Sequence, residues 1–347
     1  MPNKVINPKE TAEFLAKISK NVHINYEGVH RMATEIYTAL IRGEYTLGMW
    51  REHELHPKEP TDFAVNWIFL VDSLNFSFWP DEDKEFGVTY KDIEYTGYWA
   101  LCAIINRALD QGIPMCNPDY YSNLSLDQVK RIFAAHRKGK PNEPMDLPLL
   151  EERHAIMREN GSVLVKKFSN TFVSMVIKAK NSAKTLLKMV HEYFPSFRDE
   201  LLYNGESIGF YKRAQLLIGD IYACHEGKGL GKFDDIQDIT MFADYRVPQC
   251  LYYLGVINYR DELLRRLSAG EKFKYGDPDE VEIRGVSIHA VEQIKNGVVR
   301  LAEINNVTLP IPATSVIVDF YLWDLRRSRP DEIDECITYH KTRSIHY

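Results

Sequence analysis

Four aspartates stand inside apolar, aromatic runs: Asp72 in NWIFLVDSLNFSFW, Asp244 in ITMFADYRVP, and Asp319 and Asp324 in SVIVDFYLWDLRR. An ionised carboxylate is costly to bury unless it is paired or hydrogen-bonded. One alone reads as a helix cap or half of a buried ion pair. A set of them beside Tyr, Phe and Trp reads as the polar floor of a pocket that stacks a flat ligand. Asp319 and Asp324 are five residues apart, roughly 140° around a helix axis, so both reach one ligand only if it wraps the helix edge.

Other chemistry-bearing groups are weaker signals. Lys212 and Arg213 open the run YKRAQLLIGDIY, where two cations and free backbone N–H groups at a helix start could hold a phosphate. The competing reading is a pair of exposed basic residues. Gly227, Gly229 and Gly231 form G-x-G-x-G, but this turn follows a helical run and precedes FDD, whereas a dinucleotide fingerprint follows a strand and opens a helix. It reads as a loop. His53 and His56 sit in WREHELHP without an H-E-x-x-H pattern, which argues against zinc, and there is no G-x-S-x-G elbow.

Helices must position these groups. Asn7, Pro8 and Glu10 form a capping box over a helix carrying Ala12, Leu15 and Ile18. Helical spacing recurs over 28–41. A buried helix is expected from Thr61 until a break near Asn75. EFGVTYKDIEYTGYW predicts a short hairpin leading into a helix over 97–110. Ser125 and Gln128 cap a helix expected to reach Arg137, and GKPNEPMDLP is expected to be loop. Helices are expected over 147–160, 162–178, 182–193 and 208–222. A short extended or helical piece carries Asp244, Pro248 opens the next helix, and helices follow over 261–267, toward 304 and through TSVIVDFYLWDLRR. The pattern predicts a mainly α chain with a small β element, organised as one domain over 1–347.

Composition narrows the class. Hydrophobic residues make up 45% and charged residues 27% of 347, an ordinary globular balance. The net charge of −6 argues against gripping duplex nucleic acid, which needs a basic face. Five scattered cysteines without C-x-x-C suit a reduced compartment. The start of the chain lacks a signal-peptide core, and no apolar run approaches the roughly 20 residues of a membrane span. The expectation is a cytoplasmic protein.

The segments NWIFLVDSLNFSFW, YKRAQLLIGDIY, FADYRVPQ and DFYLWDLRR, in this order, resemble the queuosine salvage protein family, and the likeness runs from about Asn7 to Arg327. The resemblance implies a helical fold related in part to helix-hairpin-helix DNA glycosylases. It implies hydrolysis of queuosine 5′-monophosphate to queuine and ribose 5-phosphate, with no metal or organic cofactor. It also implies Asp244 as the catalytic acid, Phe242 as the aromatic packed on the base, Asp319, Phe320 and Asp324 as base-binding positions, and His53 as a base contact. Lys212 is added as a ribose or phosphate contact. His56 stands where the family often has Asn. Partners are then a small nucleotide, with no nucleic acid or membrane, and a monomer is favoured. Breaking an N-glycosidic bond builds positive charge on the ribose, which a carboxylate stabilises electrostatically or by attack. A nucleic-acid glycosylase and a non-catalytic nucleotide-binding protein are the alternatives.

Overall fold

A computed structural model describes residues 5–80 and 85–347. A 27-residue helix, Pro278–Ile304, runs through the protein and buries residues on every side along its first five turns. Its buried face includes charged residues, Glu280, Arg284, Glu292 and Lys295 among them, which pair with one another inside the protein. Pro8–Ile18 and Tyr26–Ile41 pack on one side of it, and Ser315–Ser328 on another. The approach of the first is close: a Cβ at Gly285 would stand 2.7 Å from Leu15 Cβ. Asn7 and Glu10 complete the expected capping box.

A second layer holds Asp62–Ser73, Gly97–Asp110 and Lys212–Cys224. Thr61 caps the first of these, and its chain leaves the helix at Leu74, as the break near Asn75 predicted. Nine residues of the Asp62–Ser73 helix are buried, because the Lys212–Cys224 and Gly97–Asp110 helices both pack against it.

The β element is a four-stranded antiparallel sheet ordered Ile93–Tyr95, Phe86–Tyr90, Ala135–Arg137, Lys140–Met145. Val88 pairs with Tyr95 and Phe86 with Arg137. Two two-stranded pieces tie distant chain together, Val22–Ile24 with Ile257–Tyr259 and Lys272–Phe273 with Lys341–Thr342, and a third, Glu200–Tyr203 with Glu206–Gly209, is a local hairpin.

Several boundaries differ from expectation, each for a packing reason. The helix capped by Ser125 stops at Ile132, because His136 and Arg137 pair with Gly87 and Phe86, and Ala135 with Met145. The predicted loop after Gly139 is a strand, and Pro141 and Pro144 are tolerated because it lies at the sheet edge. Helix Leu150–Lys167 continues through Gly161, which lies against the Pro118 carbonyl and Tyr121; contact with a neighbouring helix overrides the weak propensity of Asn160-Gly161-Ser162. Residues 206–209 form a strand, so the next helix begins only at Lys212.

Candidate functional site

Asp244 lies on an irregular segment, 239–245, with neither helix nor strand, before the Arg246–Tyr253 helix. Its Oδ1 accepts the backbone N–H of Arg246 at 2.8 Å and of Val247 at 2.9 Å. This is capping by a carboxylate at the positive end of a helix. It orients the side chain of a residue that lines the cavity beside it.

Buried side chains on two flanking helices hold this segment. Gln215 donates to Thr240 Oγ1 and accepts the Thr240 N–H, both at 2.9 Å. Asp319 Oδ2 accepts the Phe242 N–H at 2.9 Å. The Phe242 ring then sits 5.8 Å from Phe320 at 59° and close over Gly219, where a Cβ would meet Phe242 Cζ at 2.5 Å. Gly219 is what lets the ring lie there.

These residues open onto a cavity of about 890 Å³, within the size range of small-molecule sites. Asp244, Phe242, Asp319, Phe320, Asp324, His53 and Lys212 all line it. Two walls are aromatic. His53 stacks on Trp99 with ring centres 3.3 Å apart and 5° between planes, and Trp50 stacks on His56 at 3.9 Å. Trp323 meets Trp99 edge-on at 5.6 Å.

The carboxyls have distinct surroundings. Burial pushes Asp319 well above the usual carboxylate range and the charge of Asp244 adds to this, while the Phe242 N–H and Lys212 oppose it. Burial also raises Asp324, and the Tyr45 hydroxyl, donating to its Oδ2 at 2.6 Å, pulls it back. Burial lowers the Lys212 ammonium, against the charges of Asp244 and Asp72. Lys212 Nζ donates to the Asn75 carbonyl at 3.2 Å and to Asn75 Oδ1 at 3.3 Å.

The two histidines are neutral at physiological pH. Burial lowers His53 to about 4 and His56 to about 3. His56 Nδ1 lies 2.7 Å from the Trp50 carbonyl, which can only accept, so Nδ1 carries the proton and Nε2 accepts from the Tyr98 hydroxyl at 2.9 Å.

Other candidates fall elsewhere. Asp72 is fully buried behind the cavity, and burial raises it despite Asn75, Lys212 and Arg213. Lys212 and Arg213 are not exposed: both are buried, and only Lys212 lines the cavity. Arg213 donates to the carbonyls of Ser73 and Ser196, and the Lys212 N–H goes to Asp199 Oδ2 at 3.3 Å rather than standing free for an anion. The glycine turn is a short 3₁₀ turn, Gly229–Gly231, away from the cavity. Among the described residues no group of three or more His, Cys, Asp or Glu is arranged to hold a metal ion, and no helix is long and apolar enough to cross a membrane.

Sequence reading missed Tyr45, Trp50, Asn75, Trp99, Asp220 and Trp323, which also line the cavity. Asp220 had a signal: Lys212, Leu216 and Asp220 share one helical face, and all three reach the cavity. Asp220 is buried, and the Trp50 side chain hydrogen-bonds to it. The others come from distant segments with no shared period.

A helical scaffold with an aromatic-walled, carboxylate-floored chamber defines a small-molecule-binding protein suited to a flat heterocycle carrying polar or cationic groups. The chain belongs to the queuosine salvage protein family, whose model matches residues 55–347. A Mus musculus relative called queuosine 5′-phosphate N-glycosylase/hydrolase is 45% identical over 344 residues, covering 99% of each chain. Relatives of the same name from Schizosaccharomyces pombe and Sphaerobacter thermophilus are 40% and 36% identical, covering 97% and 92% of this chain and 99% and 92% of their own.

Proposed function

We propose that this chain is an N-glycosyl hydrolase that splits queuosine 5′-monophosphate into queuine and ribose 5-phosphate, returning queuine to tRNA modification. The observation that carries the reading is similarity over nearly the full chain to proteins named for this hydrolysis. The reading has it act in the cytoplasm as a monomer, on the free nucleotide rather than on nucleic acid, without metal or organic cofactor.

In this reading Asp244 faces the anomeric carbon. As the glycosidic bond lengthens, positive charge grows on the ribose, and Oδ2 stabilises it and orients the attacking water. The capped Oδ1 fixes the carboxylate beforehand, so little reorganisation accompanies the reaction. The leaving group is a 7-deazapurine with carbon at position 7, so protonation there cannot assist departure. The base is instead held through its other edges. Phe242 and Phe320 pack on its plane, and His53 and Trp99 close its rim. Asp319 and Asp324 accept from ring N–H, exocyclic amine and side-chain ammonium. Lys212 meets the ribose or its phosphate.

Incubation of the purified protein with queuosine 5′-monophosphate, followed by mass spectrometry, should yield queuine and ribose 5-phosphate. Asp244→Asn should keep substrate binding and lose turnover by about 10³-fold or more, the scale of losing a main electrostatic stabiliser. Unchanged queuine release by this variant would remove Asp244 from the chemistry. A ribosyl adduct on Asp244 in rapidly quenched enzyme would make it a nucleophile.

A further inference from the structure

We infer that Asp199 and Arg284 form a buried positioning pair that sets the distance between the Asp244 segment and Lys212. Arg284 has no exposed side-chain surface and sits on the long Pro278–Ile304 helix. Its guanidinium is used on three edges. Nε donates to the Ala243 carbonyl, the residue before Asp244, at 3.0 Å. Nη1 and Nη2 donate to the two oxygens of Asp199 at 3.1 and 2.5 Å. Nη1 also reaches Glu280 Oε1 at 3.2 Å.

Asp199 extends the link. Its Oδ2 accepts the backbone N–H of Lys212 at 3.3 Å, and Oδ1 accepts the Tyr275 hydroxyl at 2.9 Å. One rigid plane thus joins the carbonyl beside Asp244 to the first residue of the helix that carries Lys212 into the same cavity. Phe210 and Tyr347 sandwich that plane, with the guanidinium carbon 4.1 and 4.2 Å from their ring centres. A guanidinium in a bidentate pair cannot shift toward one partner without leaving another. Neither residue lines the cavity, so they act through Asp244 and Lys212.

This rests on the reading of Asp244 as the reacting carboxylate. Misplacing such a group by about 1 Å can cost on the order of 10²-fold in rate. Arg284→Lys keeps the charge between Asp199 and Glu280, but a single ammonium cannot also serve the Ala243 carbonyl in the same plane. The expected result is a kcat lowered by about 10²-fold, with KM for queuosine 5′-monophosphate and Kd for queuine within about threefold of the parent. Glu282→Gln is the control. It alters another buried carboxylate on the same helix, which accepts the backbone N–H groups of Lys20 and Asn21 at 2.9 and 2.7 Å and does not line the cavity. It should lower the thermal midpoint and leave kcat unchanged.

A kcat in Arg284→Lys within threefold of the parent, or a loss carried in KM, overturns the proposal. If the lysine variant does not fold, Asp199→Asn takes its place, since it retains the Arg284 bonds to Ala243 and Glu280; the same split between kcat and KM is expected, and a parental kcat overturns it. Asp244→Asn is measured alongside. Turnover retained there sinks the reading of Asp244, whereas an inactive Asp244→Asn with an unimpaired Arg284→Lys sinks only the pair.

Discussion

Asp324 and Tyr45 show how a single residue takes a role from its neighbour. Asp324 stands on the cavity side of its helix, and the Tyr45 hydroxyl takes one of its oxygens. In the proposed function the second oxygen meets the ligand. If that ligand is the ammonium of the queuine side chain, Asp324→Asn should raise KM by about 10- to 100-fold, the scale of a hydrogen bond to a charged group. Tyr45→Phe, which only loosens the carboxylate, should raise it less. A substrate analogue with an uncharged side chain should show no such rise. Equal increases for charged and uncharged substrates would place the ammonium elsewhere.

At the scale of elements, the site depends on how closely helix and loop approach. The Lys212–Cys224 helix supplies Lys212, Leu216 and Asp220 to the cavity, while its Gly219 receives the edge of Phe242. Gly219→Ala would favour the helix by about 0.5–1 kcal/mol. Yet its methyl would meet Phe242 Cζ at 2.5 Å and press the ring toward the ligand. KM should therefore rise by about tenfold while the thermal midpoint holds or increases, since overpacking here is relieved into an open cavity. Steady-state kinetics and a thermal melt on the same sample decide it, and an unchanged KM would show that Phe242 does not pack on the base.

For the whole molecule, buried histidines link stability to acid. His340 is buried, and burial together with the charge of Arg284 lowers it to about 3. An unfolded histidine titrates near 6.5, so between these values the unfolded chain binds the extra proton. Stability from this group is complete above pH 6.5 and is lost as pH falls toward about 3, by about 1.4 kcal/mol per pH unit. Buried carboxyls such as Asp319, whose range is raised, act in the opposite sense. Comparison with His340→Leu cancels them. Between about pH 6.5 and pH 5 the parent should lose stability faster than the variant by that slope, read from urea unfolding midpoints. Parallel pH dependences would mean that His340 titrates in the folded protein as it does in the unfolded chain.

Much of this architecture was legible from local signals. The Asn7–Glu10 capping box, the Thr61 cap and the apolar period of Ser315–Ser328 are short-range features, and each marks its element within a residue or two. Asn204-Gly205, with φ of +47° and +85°, is a hairpin turn that the sequence reading missed, because the apolar run from Ile208 reads as helix. The four aspartates in apolar runs were visible as unusual, and resemblance selected Asp244 among them. Only the tertiary structure separated Asp72, closed behind the cavity, from Asp244, Asp319 and Asp324 within it. It alone brought Trp50, Trp99 and Asp220 to the same chamber, and it alone joined Arg284 to the Asp244 segment. Periodicity reports which face of a helix is buried. Which carboxylate meets a ligand and which meets an arginine depends on contacts between segments far apart in the chain, and no local pattern records these.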